Sequence, residues 1–139
     1  MLVKTKILNV SRDQALMNFL QRELGADGYE VINTRHSGVQ LRQVLDAENP
    51  DFIILDIVMP TLDGIGTCLQ LRQWTQTPIM MLSTWGTDGV TVRGLNLCAD
   101  SYLTEPFGGD ILRQRINDTL RRVPGNTVQT YSPIYTSNN

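Results

Sequence analysis

The chain has 139 residues, of which 41% are hydrophobic and 19% charged, with a formal net charge of −2 and a pI of about 5.2. This length predicts a single domain with a sizeable core. The acidic balance, without a basic stripe, argues against direct binding of nucleic acid. No apolar run approaches the length of a membrane span, and the first residues lead into a strand without room for a signal peptide. We therefore expect a cytoplasmic protein with no membrane partner.

The first half of the chain alternates strands and helices. Residues 6–10 predict a first strand, and apolar residues at helical spacing predict a helix over residues 14–24, which the segment 25–28 should end. Residues 29–34 predict a second strand, followed by a helix that ends before Pro50. The continuous apolar run at 52–55 predicts a third strand that is buried on both faces and delivers Asp56 at its end.

The second half continues the alternation. A third helix ends before Pro78, and residues 79–83 predict a fourth strand. Residues 89–97 predict a weak fourth helix, residues 101–104 a short fifth strand, and the apolar residues from Ile111 to Leu120 a fifth helix. The last residues, 124–139, are rich in Ser, Thr, Asn and Pro, and predict a flexible tail or the start of a linker to an effector domain.

This order predicts an α/β fold with a doubly wound, five-stranded parallel sheet over residues 1–123. Right-handed crossovers give the strand order 2-1-3-4-5, with a crevice between strands one and three at their carboxyl ends. The polar residues expected at that crevice are Ser11, Arg12, Asp13, Asp56, Ser83 and Glu105.

Three motifs lie in order on these elements, at residues 56–64, 77–83 and 99–107. Over roughly residues 4–122 the chain therefore resembles the receiver domain of two-component response regulators, most closely the OmpR/PhoB-type branch. Members of that branch carry a C-terminal winged-helix DNA-binding domain. The resemblance implies a CheY-like signalling module that is not an enzyme. It also implies a histidine kinase as a candidate partner, and contact with DNA only through an effector domain outside these residues.

The resemblance also assigns roles to four residues. Asp56 matches the phosphoacceptor, Ser83 the switch hydroxyl that reaches toward the phosphoryl group, and Tyr102 the switch aromatic residue. Pro106 matches a proline that follows a cis peptide bond, which is tolerated chiefly before proline.

The chain departs from the family at two places. Ser11 and Arg12 stand where the family has two acids that hold Mg²⁺, and Glu105 stands where it has a lysine. Mg²⁺ prefers carboxylate and water oxygens, and an arginine does not lose its charge, so we expect Mg²⁺ binding to be lost or weak. Arg12 is either an internal cation paired with Asp56 or Glu105, which we favour, or a solvated turn residue. We expect Asp13 to be an acid at the N-terminus of the first helix rather than a metal ligand.

These departures predict an atypical receiver without a cofactor, which regulates through contacts rather than efficient phosphotransfer. We expect it to form a dimer or bind a partner through the face of the fourth helix, fifth strand and fifth helix, which we call the output face. Arg93, Asp100 and Arg115 match charged residues that pair there in relatives. Two alternatives remain open, a conventional receiver phosphorylated at Asp56 by a histidine kinase and a stand-alone protein-docking adaptor.

Overall fold

The computed structural model describes residues 4–56, 64–83, 99–104 and 106–122, with Ser83 described by its backbone alone. The elements in chain order are β1 (Lys6–Val10), α1 (Gln14–Ala26), β2 (Glu30–Thr34), α2 (Gly38–Glu48), β3 (Phe52–Asp56), α3 (Gly64–Trp74), β4 (Ile79–Ser83), β5 (Ser101–Thr104) and α4 (Gly109–Arg122). The helix predicted at 89–97 and the tail predicted at 124–139 lie outside the described residues. None of the described helices has the length and apolarity needed to cross a membrane.

The five strands form one parallel sheet in the order β2-β1-β3-β4-β5, which confirms the predicted topology. β3 lies at the centre and is buried along its whole length, because its run of Phe, Ile and Leu side chains meets a packed layer on both faces. One face packs against α2 and α3, and the other against α1 and α4. The carboxyl ends of β1 and β3 therefore lie side by side at one edge of the sheet.

The first helix runs beyond its predicted end. The helix α1 continues to Ala26 instead of Leu24, and so ends within the segment 25–28 that was predicted to stop it. The chain turns at Gly28, whose φ of 92° lies in the region that favours glycine, while the N–H groups of Asp27 and Gly28 donate to the carbonyls of Leu24 and Gly25. The second strand consequently begins at Glu30 rather than one residue earlier.

Tyr29 ties the start of β2 to the last helix. Its Oη donates a hydrogen bond to Asn117 Oδ1 on α4 at 2.7 Å. Partial burial, and to a lesser extent the negative charge of Asp27, raise the pKa of the Tyr29 phenol above its ordinary value. The hydroxyl therefore remains a donor at neutral pH.

Candidate functional site

Asp56 is the acid at the centre of the carboxyl edge. It is the last residue of β3 and is only 1% exposed. Ser11, which follows β1 and is fully buried, donates from its hydroxyl to Asp56 Oδ2 at 3.1 Å. Since β1 and β3 are neighbouring parallel strands, their topology alone brings these two side chains together. A neutral hydroxyl, rather than a second acid, therefore faces the predicted phosphoacceptor from β1.

Three hydrogen bonds fix the position of Ser11. Its backbone N–H donates to the carbonyl of Thr34 on β2 at 3.0 Å. Its Oγ accepts the backbone N–H of Asp13 at 3.0 Å while it donates to Asp56. Because a serine hydroxyl has a single proton, the bond that it accepts from Asp13 leaves that proton for Asp56.

Asp13 caps the first helix. Its Oδ1 accepts the backbone N–H groups of Ala15 at 3.0 Å and Leu16 at 3.3 Å, and its backbone is extended, as expected of an N-cap residue. The prediction that Asp13 is a helix N-terminal acid is confirmed. One of its two carboxylate oxygens is thereby held at the helix end.

Arg12 is exposed and is joined to the loop after β2. Its Nε donates to the backbone carbonyl of Arg35 at 3.2 Å, and Arg35 Nη1 donates in return to the carbonyl of Arg12 at 3.0 Å. Arg35 also donates from Nη2 to Gln14 Oε1 at 2.9 Å. The two arginines thus connect the β1–α1 and β2–α2 loops beside the site. The predicted pairing of Arg12 with Asp56 or Glu105 remains a prediction.

The other residues predicted for the site are described only in part. Ser83 ends β4, next to β3, but its side chain lies outside the described residues, as do Glu105 and Arg93. The peptide bond between Glu105 and Pro106 is likewise outside them. Tyr102 lies on the edge strand β5, opposite Met81 in register, with 37% of its surface exposed.

Of the three charged residues predicted on the output face, the structure describes Asp100 and Arg115, and both have partners inside the chain. Asp100 Oδ2 accepts hydrogen bonds from Arg72 Nη2 and from the backbone N–H of Ile79, each at 2.9 Å. Arg115 Nη1 donates to the carbonyl of Tyr102 at 2.5 Å. Asp100 therefore joins α3, β4 and β5. No local pattern could reveal this role, because Arg72 lies 28 residues away in the sequence.

We expect Asp100→Ala to lower the free energy of unfolding by about 1–2 kcal/mol, because it removes a partly exposed ion pair and the acceptor of a strand N–H. Urea denaturation measures this effect. Asp110→Ala is the matched control, because the Asp110 carboxylate pairs with Arg113 but is 96% exposed, and we expect it to change stability little. If Asp100→Ala changes stability as little as is expected for Asp110→Ala, then the hydrogen bonds of Asp100 do not stabilise the fold.

The sequence of this chain is similar to those of known proteins. Residues 7–117 match the family described as response regulator receiver domain. The chain is 40% identical over 118 residues to the alkaline phosphatase synthesis transcriptional regulatory protein PhoP of Bacillus subtilis (strain 168), a match that covers 84% of this chain and 49% of that protein. It is 37% identical over 129 residues to the probable transcriptional regulator ycf27 of Cyanophora paradoxa, with 93% and 54% covered.

The structure is also similar to solved structures. A putative response regulator from Chloroflexus aurantiacus J-10-fl superposes with a TM-score of 0.76 at 30% identity, covering 86% of this chain and 100% of that chain. This chain spans about half the length of the two curated relatives.

Proposed function

Because this chain belongs to the family of response regulator receiver domains, we propose that it is the receiver part of an OmpR/PhoB-type transcriptional regulator that works without efficient Mg²⁺-dependent phosphorylation. The observation that carries the proposal is the hydrogen bond from the Ser11 hydroxyl to the buried Asp56 carboxyl group. The receiver signals through contacts with a second copy or a partner protein, and it reaches DNA through an effector domain elsewhere in the full-length protein.

The donor set beside Asp56 does not suit a divalent cation. Mg²⁺ needs hard oxygen ligands, usually carboxylates and waters, in near-octahedral geometry. The residues that follow β1 supply the Ser11 hydroxyl and the Arg12 guanidinium, and Asp13 uses one carboxylate oxygen to cap α1. In the described part of the chain, no three His, Cys, Asp or Glu side chains form a group that could hold a metal.

The charges of the site also disfavour efficient phosphorylation of Asp56. Arg12, Asp56 and Glu105 together carry one net negative charge, without the metal ion and the lysine of the family. Phosphoryl transfer to a carboxylate depends on neutralising the charge on the transferred group. Even if Arg12 paired with an acid of this site, a single guanidinium would supply less positive charge than Mg²⁺ and lysine together.

We expect incubation with acetyl phosphate and Mg²⁺ to leave the chain unmodified, because the chain lacks the acids that would bind the metal and the lysine that would meet the phosphoryl oxygens. Intact-mass spectrometry measures the adduct, with a receiver that retains the acids and the lysine as the positive control. Asp56→Asn is the matched negative control. An acid-labile adduct on the wild-type chain that Asp56→Asn abolishes would contradict the proposal and favour a conventional phosphoacceptor.

A further inference from the structure

The two edges of the sheet differ in how their backbone groups are used. The edge strands are β2 and β5, because each pairs with one neighbour. On β5, the Arg115 guanidinium already occupies the carbonyl of Tyr102. Such contacts protect an edge strand against pairing with another chain, so β5 is partly protected.

The backbone N–H and C=O groups of successive β2 residues point alternately toward β1 and toward the open side of the strand. The N–H of Glu30 donates to Thr5 on the β1 side, and the carbonyl of Thr34 accepts from Ser11 on the same side. Residues 30, 32 and 34 therefore face β1, and the N–H and C=O groups of Val31 and Asn33 face outward. Within the described part of the chain, no hydrogen bond reaches these outward groups.

A cleft of about 430 Å³ runs along this open side. Met17 of α1 lines one wall, Val44 and Glu48 of α2 line the other, and Ile32 and Asn33 of β2 form its floor. The strand carries neither proline nor lysine, residues that commonly protect an edge. The β2 edge is therefore open to another extended strand.

The charges along this edge are self-complementary. Glu30 stands exposed at the beginning of β2, and Arg35 and His36 stand exposed just beyond its end. Neither Glu30 nor Arg35 has an oppositely charged partner among the residues that the structure describes. If two copies of the strand run antiparallel, the acidic end of each meets the basic end of the other, twice by symmetry.

We propose that β2 is a homodimer interface, at which the strand pairs antiparallel with β2 of a second copy. The outward residues 31 and 33 form the hydrogen-bonded positions, with Val31 of one copy opposite Asn33 of the other, so the two-fold axis passes through position 32. This register places Glu30 opposite Thr34 of the other copy, next to the basic residues 35 and 36. The interface lies at the opposite edge of the sheet from β5, the strand of the output face.

Amide hydrogen exchange of the full chain, followed by NMR at increasing protein concentration, tests the pairing. At a total concentration of about ten times the dissociation constant, mass action leaves about a fifth of the chains monomeric, so exchange at Val31 and Asn33 should slow about fivefold. Ile32 and Thr34 are internal controls, because their N–H groups already face β1. Exchange at Val31 and Asn33 that does not change with concentration, whether fast or slow, would overturn the proposal. Dimerisation through the output face would have that result.

A charge-swap series tests the orientation. Glu30→Arg makes both ends of the edge basic, and Arg35→Glu makes both acidic, so each variant alone should dimerise about tenfold more weakly or worse. Mixing the two single variants should give a heterodimer, and the double variant should again form a homodimer, as light scattering can measure. If mixing does not restore association, the antiparallel pairing is wrong. Circular dichroism verifies that each variant is folded.

Discussion

The variant Ser11→Asp/Arg12→Asp/Glu105→Lys is expected to bind Mg²⁺ and to become phosphorylated at Asp56 by acetyl phosphate. The substitutions restore the two acids and the lysine that the receiver family has at these positions, and Asp56 itself is already in place at the end of β3. Intact-mass spectrometry should change from no adduct in the wild type to near-complete modification. This is the largest functional effect that we expect from any substitution in the chain.

The stability of the same variant should depend on Mg²⁺. Ser11 Oγ lies 3.1 Å from Asp56 Oδ2, so an aspartate at position 11 places two carboxylates close together in a buried site. Their repulsion favours the unfolded state until a cation binds between them. At a Mg²⁺ concentration ten times the dissociation constant, binding should add about 1.4 kcal/mol to the free energy of unfolding, measured by urea denaturation.

Two controls make this result interpretable. The wild-type chain should show no such dependence on Mg²⁺, and adding Asp56→Asn to the rebuilt variant should remove the phosphoryl adduct. If the rebuilt variant folds and binds Mg²⁺ but remains unmodified, then the replaced acids and lysine are not sufficient for phosphorylation. The natural residues Ser11, Arg12 and Glu105 would then not be sufficient to explain why the wild-type chain is not phosphorylated.

The sheet could be predicted because its strands carry strong local signals. The run at 52–55 is apolar and bounded by turn formers, so it fits only a strand buried on both faces, and crossover handedness then fixes the order. Helix ends were harder to predict. Gly25 and Gly28 are both plausible stops in the sequence, but the structure places the turn at Gly28, where φ is positive and a residue with a Cβ would be strained.

The site was predictable to the extent that strand topology determines it. Asp56 and Ser11 end neighbouring strands, so their proximity followed from the strand order. The hydrogen bonds between Arg12 and Arg35 could not be predicted from the strand order. Each guanidinium donates to a backbone carbonyl, and because every residue has a backbone carbonyl, the sequence does not single out the acceptor. Asp100 illustrates the same limit, because its acceptor role depends on a strand N–H and on a distant arginine.

Ser11→Ala is expected to lower the free energy of unfolding by about 2–3 kcal/mol, the largest loss of stability that we expect from removal of a single polar group at the site. The substitution deletes a buried hydrogen bond to an acidic side chain and leaves the N–H of Asp13 without its acceptor. A hydrogen bond to a charged group contributes about 1.5–3 kcal/mol, and a buried group that loses its partner retains the cost of its desolvation.

Ser37→Ala provides the matched control for Ser11→Ala. Ser37 is the N-cap residue of α2, but its side chain makes no capping hydrogen bond, so its removal should change stability by only about a few tenths of a kcal/mol. Urea denaturation of both variants gives the comparison. Adding Ser11→Ala to Asp56→Ala should cost less than adding it to the wild type, because the shared hydrogen bond is already absent. Equal costs in the two backgrounds would mean that the hydrogen bond between the Ser11 hydroxyl and Asp56 does not contribute to stability.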